Sequence, residues 1–291
     1  MMRYEGAVYR PPSEARSLII QTTIGCSHNQ CTFCYMYKEK KFRVRKMEAI
    51  LADLQDVKAQ YGDITNNFFL ADGNALCLGT DKLITILKTI KTLFPSSGRI
   101  GIYAAPKDIL NKTPEDLSLL KANGIEIAYL GIESGSDKVL KDVNKGVTQQ
   151  EMVEAGQKLK ASGIKLSTMV ISGLGGSADW ELHAEESAKV VNAIQPDYLA
   201  LLTLLTPEGT PLYDSIQNGT FKLLDPTDVL VETRRMLEKI ELNDCVFRSN
   251  HVSNYLSLAG HFPEDKPKLL DAIDHSLGDQ RHLRDEWMRQ L

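Results

Sequence analysis

At 291 residues, 43% of them hydrophobic and 25% charged, the chain has ample material for a large apolar core. A formal net charge of −4, from 34 basic against 38 acidic residues, argues against a surface built for nucleic acid. No apolar run approaches the roughly 20 residues of a membrane span, and the opening MMRYEGAVYRPPSEARS is polar and proline-interrupted, unlike a secretory leader; a cytoplasmic protein with reduced thiols is the expectation.

Ser17 to Ile24 (SLIIQTTI) is an apolar, β-rich run and reads as the first strand. It leads into TIGCSHNQCTFCYMY, where Cys26, Cys31 and Cys34 fall within nine residues. Soft thiolates select zinc, copper(I) or iron–sulfur clusters. Three on one loop leave a metal position open, which suits a cluster that does chemistry, whereas a structural zinc site is closed by a fourth ligand. His28 is the candidate fourth ligand of a Cys3His zinc site, but no second CxxC pair and no HxxxH partner appears. Cys77 and Cys245 are isolated, and an odd cysteine count disfavours a disulfide framework. The iron–sulfur reading leads; a zinc-binding structural or regulatory α/β protein is the alternative.

The basic stretch KEKKFRVRK, Lys38 to Lys46, reads as a solvated face or as a docking site for an anionic substrate or acidic electron donor. Met47, Ile50, Leu51, Leu54 and Val57 then recur at helical spacing up to Gly62. Asn67 to Ala71 (NFFLA) is a buried strand followed by Asp72-Gly73-Asn74, and DKLITILKTIKTLFP is a helix stopped by Pro95. Arg99 to Ala105 is a strand; Thr113 caps the next helix, with Pro114 at its first position. Glu126 to Ile132 is a strand that runs into Glu133-Ser134-Gly135, and Thr148 with Glu151 forms a capping box. Lys165 to Ile171 and Asp197 to Leu205 are strands on either side of the helix ADWELHAEESAKVVNAI. Beyond Pro211 come a helix PTDVLVETRRMLEKIEL, a polar segment CVFRSNHVSNYLSLAGHFP and a terminal helix PKLLDAIDHSLGDQRHLRDEWMRQL.

About six β/α units with apolar strands lacking strict alternation predict an α/β fold, a parallel sheet covered by helices. Ligands of such sheets lie outside the carboxyl ends of the strands. The cysteine loop, Asp72-Gly73-Asn74, Glu133-Ser134-Gly135 and Ser172 to Gly176 all fall at those ends.

The strand, the three-cysteine loop ending CxFC and the later GIESGSDKVL together resemble the radical S-adenosylmethionine (radical SAM) superfamily, most of all its coproporphyrinogen-oxidase-like and elongator-like branch. The resemblance covers residues 17–212 and departs in one respect: CSHNQCTFC has the spacing C-x4-C-x2-C where CxxxCxxC is usual. It implies a partial (β/α)6 TIM-type barrel over 17–212, an N-terminal extension over 1–16 and a mainly helical C-terminal extension over 213–291 packed on the barrel. It further implies that Cys26, Cys31 and Cys34 hold a [4Fe–4S] cluster whose fourth iron binds S-adenosylmethionine (SAM) through its amino and carboxylate groups. Reduction then cleaves SAM to methionine and a 5′-deoxyadenosyl radical, which abstracts a substrate hydrogen.

The same resemblance implies the cofactor-binding residues. Phe33 matches the family's aromatic near the adenine, and Tyr35 just beyond Cys34 joins that set. Asp72, Gly73 and Asn74 stand where a GGE stretch meets the SAM amino group. Glu133, with Ser134, stands at the ribose, and Lys145 aligns with a basic residue used for the SAM carboxylate. MVISGLGG resembles the strand that packs along adenine, which places Val170 there; Met169 replaces an acid, leaving Ser167 to share polar recognition. Cysteines for a second cluster are lacking and no cobalamin domain precedes the barrel, so the expectation is a single-cluster enzyme. It takes a small-molecule substrate and a flavodoxin- or ferredoxin-type electron donor, with no nucleic acid and no membrane. A cluster-carrying electron-transfer or sensor protein that never cleaves SAM is the other alternative. Arg248, Asn250, His251 and Asn254 are the substrate-side candidates, on a segment expected to close the barrel mouth.

Overall fold

The computed structural model describes residues 3–289; Met1, Met2, Gln290 and Leu291, the outer ends of the two expected extensions, lie outside the described residues. The chain divides into two compact units. The first takes the residues up to Asn29, Met36–Leu130 and Lys158–Leu166; the second takes Gln30–Tyr35, Gly131–Gln157 and the chain from Ser167 onward.

In the first unit the strand expected over residues 17–24 is two strands, β1 (Leu18–Gln21) and β2 (Thr23–Ile24). They are followed by β3 (Arg43–Val44), α1 (Met47–Tyr61), β4 (Phe68–Ala71), α2 (Thr80–Leu93), β5 (Ile100–Ala104), α3 (Pro106–Asn111), α4 (Pro114–Ala122) and β6 (Ile125–Glu133). The pairs β1–β4, β4–β5 and β5–β6 are parallel, whereas β2 turns aside to pair antiparallel with β3. Phe68 to Ala71 are all buried, as a strand covered on both faces requires. Thr113 caps α4 in a full capping box with Asp116, as its sequence position predicts.

A short turn at Pro12–Glu14 carries Glu14 into the core near the start of these strands. Its carboxylate accepts from Tyr129 Oη (2.5 Å), from Arg99 Nη1 (2.5 Å) and from Ser17 Oγ. Gly101 on β5 makes this possible, because a Cβ there would sit 2.9 Å from Glu14 Oε1. Desolvation and the Glu14 carboxylate together push the Tyr129 hydroxyl up to about 12.

The second unit begins with the last residues of β6 and continues with α5 (Asp137–Asp142), α6 (Gln149–Ala161, of which 158–161 belong to the first unit), β7 (Lys165–Ser172, from Ser167 onward), α7 (Gly176–Ile194) and β8 (Tyr198–Thr203). Then come α8 (Pro211–Gln217), α9 (Pro226–Lys239), β9 (Cys245–Ser249), β10 (Leu258–Phe262) and α10 (Lys266–Gly278). Strands β7, β8 and β9 are parallel, and β10 runs antiparallel to β9. The Thr148–Glu151 capping box forms at the head of α6.

Three expectations for the C-terminal extension need correction. The polar segment after α9, for which no strand is predicted, contains β9 and β10, whose Phe247 and Phe262 rings meet edge-on with centroids 5.6 Å apart. Helix α9 stops at Lys239 rather than near Leu242, because Ile240 is extended (φ −71°, ψ 128°). The terminal helix stops at Gly278: Asp279 is extended (φ −143°, ψ 98°) and its side chain caps a separate turn through the Arg281 N–H. The fold is α/β, a mostly parallel sheet with helices, consistent with a partial TIM-type barrel. Among the described residues no helix is long and apolar enough to cross a membrane.

Candidate functional site

In the first unit the tail of β4 meets the start of the cysteine loop. Asp72 is fully buried, and its Oδ2 accepts from the Gly25 N–H (2.9 Å), Gln21 Nε2 (3.0 Å) and Lys40 Nζ (2.9 Å). The carboxylate expected beside the SAM amino group therefore ties down the backbone one residue before Cys26; its Oδ1 has no hydrogen-bond partner. Asn74 Nδ2 donates to Ser27 Oγ (2.7 Å) and to Asp108, and Asn74 Oδ1 is also unpartnered. Gly73 lies between them. A Cβ at Gly73 would come 2.6 Å from the Tyr37 ring and 3.0 Å from Cys26 Cβ, so the close approach of the cysteine loop requires glycine.

Half of the basic residues of this stretch pair with acids within this unit. Lys40 pairs with Asp72 (2.9 Å), Arg43 with Glu5 (2.5 Å) and Arg45 with Asp53 (2.7 Å). Lys38, Lys41 and Lys46 are its exposed ammonium groups. Glu5 and Asp72 lie 38 and 32 residues from their partners, a separation that hides these two pairs in the sequence.

The second unit holds the rest of the cysteine loop. Cys31 and Cys34, like Cys26, are half-buried thiols. Between them the Thr32 N–H donates to the Val143 carbonyl (2.9 Å) and the Leu212 N–H donates to the Thr32 carbonyl (3.1 Å), which pins the loop to the ends of α5 and α8. Phe33 packs on a buried cluster of Val139, Val143, Ile171, Leu174, Leu204 and Leu212. Tyr35 is half-buried. The donor set suits an iron–sulfur cluster, three soft ligands within one short stretch of sequence. Among the described residues no three His, Cys, Asp or Glu side chains gather as closely as one ion needs. A cubane asks less of them, since each thiolate takes a different iron.

At the end of β6, Glu133 is buried with φ 63°, a left-handed backbone that costs a non-glycine residue about 1–2 kcal/mol. Its Oε1 accepts from Lys145 Nζ at 2.8 Å, and its Oε2 has no hydrogen-bond partner. The two residues expected to meet different parts of SAM thus meet each other. Gly131 leaves room for the pair, since a Cβ there would collide with Glu133 Oε1 and stand 3.3 Å from Lys145 Nζ. Ser134 does not face outward: it is fully buried and hydrogen-bonds to His183 Nδ1 (2.8 Å). On β7, Thr168, Val170 and Ser172 are buried while Ser167 and Met169 are half-buried. Strand alternation therefore puts Ser167 and Val170 on opposite faces, and only Ser167 lies on the more open one.

On the expected substrate side, Arg248 is exposed and His251 is half-buried against Ser253 (2.9 Å). Asn254 is buried and bonded into the fold. Its Oδ1 accepts from the Thr203 N–H (2.6 Å) and hydroxyl (3.0 Å), and its Nδ2 donates to the Leu201 carbonyl (2.8 Å). Arg284 and Arg289 hold the same loop through its carbonyls.

Sequence reasoning missed His183 and Glu232, both fully buried. The signal for Glu232 was present: a carboxylate amid Val229, Leu230, Met236 and Leu237 on the buried face of α9.

A soft-donor loop just beyond the first strands, with the tails of β4 and β6 carrying unpartnered buried acceptors, is the arrangement of a cofactor enzyme of the α/β class. The family model described as the Radical SAM superfamily matches residues 20–186, more than half of the chain, and the chain belongs to this family, whose enzymes use a [4Fe–4S] cluster and SAM. It is 27% identical over 199 residues to an uncharacterised methyltransferase of Pyrococcus horikoshii, covering 67% of this chain and 41% of the relative. It is 28% identical to the tRNA-2-methylthio-N(6)-dimethylallyladenosine synthase of Geobacillus thermodenitrificans, over 62% of this chain and 35% of that protein. The chain therefore spans less than half the length of these curated relatives. Coproporphyrinogen III oxidase from Escherichia coli, a radical SAM enzyme, shares the fold with TM-score 0.55 at 18% identity, over 77% of this chain and 52% of that one.

Proposed function

We propose that this chain binds a [4Fe–4S] cluster through Cys26, Cys31 and Cys34 and cleaves SAM reductively, directing the resulting radical at a C–H bond of a small-molecule substrate. The observation that carries the reading is the cysteine loop itself, three soft ligands within nine residues inside the span of the family match. When bound, the cluster supplies the electron for SAM cleavage and an open iron for the SAM amino and carboxylate groups.

The chain's own residues hold and orient. Asp72 anchors Gly25 and Lys40 and so sets where Cys26 leaves the strand. Gly73 and Asn74 present close backbone and an unpartnered amide oxygen suited to an ammonium group. Glu133, with one oxygen still unpartnered, accepts from the ribose hydroxyls, and Lys145 neutralises its charge and offers N–H donors to the SAM carboxylate. Ser167 and Tyr35 complete the polar lining; Phe33 contributes apolar surface. The electron comes from an external donor of flavodoxin or ferredoxin type, in a reducing compartment such as the cytoplasm. A small molecule is favoured over a nucleic acid by the −4 net charge and by the internal pairing of Lys40, Arg43 and Arg45.

The test is anaerobic reconstitution, reduction with dithionite in the presence of SAM, and chromatographic detection of 5′-deoxyadenosine and methionine. Both products should appear only in the iron- and sulfide-loaded protein. Stoichiometric zinc without labile sulfide returns the chain to the structural-zinc alternative, and a full cluster without SAM cleavage returns it to the electron-transfer alternative.

A further inference from the structure

Two titratable side chains of the second unit are wholly buried and have no part in the reading above. His183 on α7 and Glu232 on α9 both have side-chain exposures of 0%. Glu232 Oε1 accepts from the backbone N–H of Gly173 at 2.7 Å, the residue that turns the chain out of β7 with φ 87°. His183 Nδ1 is 2.8 Å from Ser134 Oγ, next to Glu133, and the same hydroxyl accepts from the Ser136 N–H at 3.1 Å. His183 Nε2 and Glu232 Oε1 lie 3.9 Å apart, and neither His183 Nε2 nor Glu232 Oε2 has a hydrogen-bond partner. Gly175 admits the histidine, because a Cβ there would stand 3.0 Å from His183 Cβ.

An apolar residue at 232 would complete the buried face of α9 without the cost of desolvating a carboxyl group, a cost that grows when a hydrogen-bond partner is missing. What the carboxyl does instead is reach two turns. One bond holds the turn after β7, and the contact with His183 extends the same polar run to the turn after β6. We infer that Ser134, His183 and Glu232 are positioning residues of the SAM site, which fix the turns at 133–136 and 173–175 and keep Glu133 in its left-handed backbone. The inference rests on the assignment of Glu133 to SAM made above. Burial supports a neutral pair: it pushes Glu232 up to about 8 and His183 down to about 4, so neither carries its charge near pH 7.

The test titrates cluster-loaded protein with SAM. Glu232→Leu removes the acceptor and should weaken SAM affinity about tenfold, the loss of roughly one buried hydrogen bond's worth of positioning. Glu232→Gln keeps an oxygen for the Gly173 N–H and should restore affinity to within about threefold of wild type. Leu237→Ala on the same helix is the stability control; it should lower the unfolding temperature and leave SAM affinity unchanged. Should Glu232→Leu fail to fold, Ser134→Ala cuts the contact to His183 together with the bond from the Ser136 N–H inside the same turn, and a loss of about fivefold in SAM affinity supports the inference. Unchanged affinity in Glu232→Leu, or in Ser134→Ala where it stands in, overturns it, as does a loss in Leu237→Ala equal to that in Glu232→Leu. Affinity lost in Glu133→Ala but intact in Glu232→Leu overturns this inference alone, whereas wild-type protein that binds no SAM overturns the parent reading with it.

Discussion

Glu14 and Glu133 are both buried carboxylates paired with a cation, and they differ in what is left over. Glu14 stands near the start of the strands and has a donor for each oxygen: Arg99 and Tyr129 on one, Ser17 on the other. Glu133 stands at the carboxyl end of β6 with a strained backbone and one oxygen unpartnered. Asp72 and Glu232, at or reaching the carboxyl ends of β4 and β7, resemble Glu133: each has one oxygen bonded and one without a partner. Unsatisfied buried groups are rare in proteins and cluster where a ligand or a mechanism needs them. On the proposed function, the difference separates acids that hold the fold from acids that serve a site, although all are Asp or Glu in apolar surroundings.

The largest expected effect tests the site end of this contrast at its metal. Cys26→Ala, Cys31→Ala and Cys34→Ala should each abolish cluster assembly, read as loss of iron, sulfide and the brown absorption after anaerobic reconstitution, with the circular dichroism spectrum unchanged. Any one of them that keeps a full cluster breaks the ligand assignment. Next, Glu14→Ala strands Arg99, Tyr129 and Ser17 and should cost about 3 kcal/mol in urea unfolding. SAM affinity should stay within about twofold of wild type, since no positioning bond is cut. A large loss of affinity at unchanged stability would erase the distinction between the two kinds of acid.

Local rules made much of the fold legible. The Thr113 and Thr148 caps, the stop before Pro95 and the apolar strands all follow from neighbours a few residues apart. The cysteine loop was legible for the same reason. The rest depended on distant partners. The β2–β3 pairing and the Lys40–Asp72 bond join segments that composition cannot match, and Ser134 meets His183 across 49 residues. β9 and β10 were hidden by the polar run RSNHVSNY, which begins in β9, reads as loop and is held by Asn254, Arg284 and Arg289. Strand alternation is also legible in the sequence: Ser167 and Val170, three apart on β7, present their side chains to opposite faces.

The third effect concerns pH. With Glu232 raised to about 8 from an ordinary 4.5, the folded chain keeps a proton that the unfolded chain has lost, so stability falls as pH rises from about 4.5 to 8. His183, lowered to about 4 from 6.5, acts in the opposite sense: stability falls as pH drops through that interval. Arg234 and Arg235 on α9 are paired instead with Asp274 (2.5 Å) and Glu185 (2.5 Å). Glu232→Gln should flatten the alkaline limb of the urea midpoint against pH and leave the acid limb in place. An alkaline limb of the same slope in the variant means that another group produces it.

The smallest change in stability, and the closest test of the contrast, is expected for Glu133→Gly. Glycine accepts φ 63° without the Cβ clash, which relieves about 1–2 kcal/mol of backbone strain. Against this stand the lost bond to Lys145, whose side chain is 14% exposed against 8% for Glu133, and the extra freedom of glycine in the unfolded chain. Each is worth about 1 kcal/mol. The terms nearly cancel, so the urea midpoint should move little. SAM affinity should nonetheless fall by about 1–3 kcal/mol, the cost of a ribose hydroxyl pair without its acceptor. Such a variant is the inverse of Glu14→Ala, which loses stability and keeps affinity. If Glu133→Gly instead unfolds as readily as Glu14→Ala and binds SAM as tightly as wild type, the unpartnered oxygen and the strained backbone mark no site.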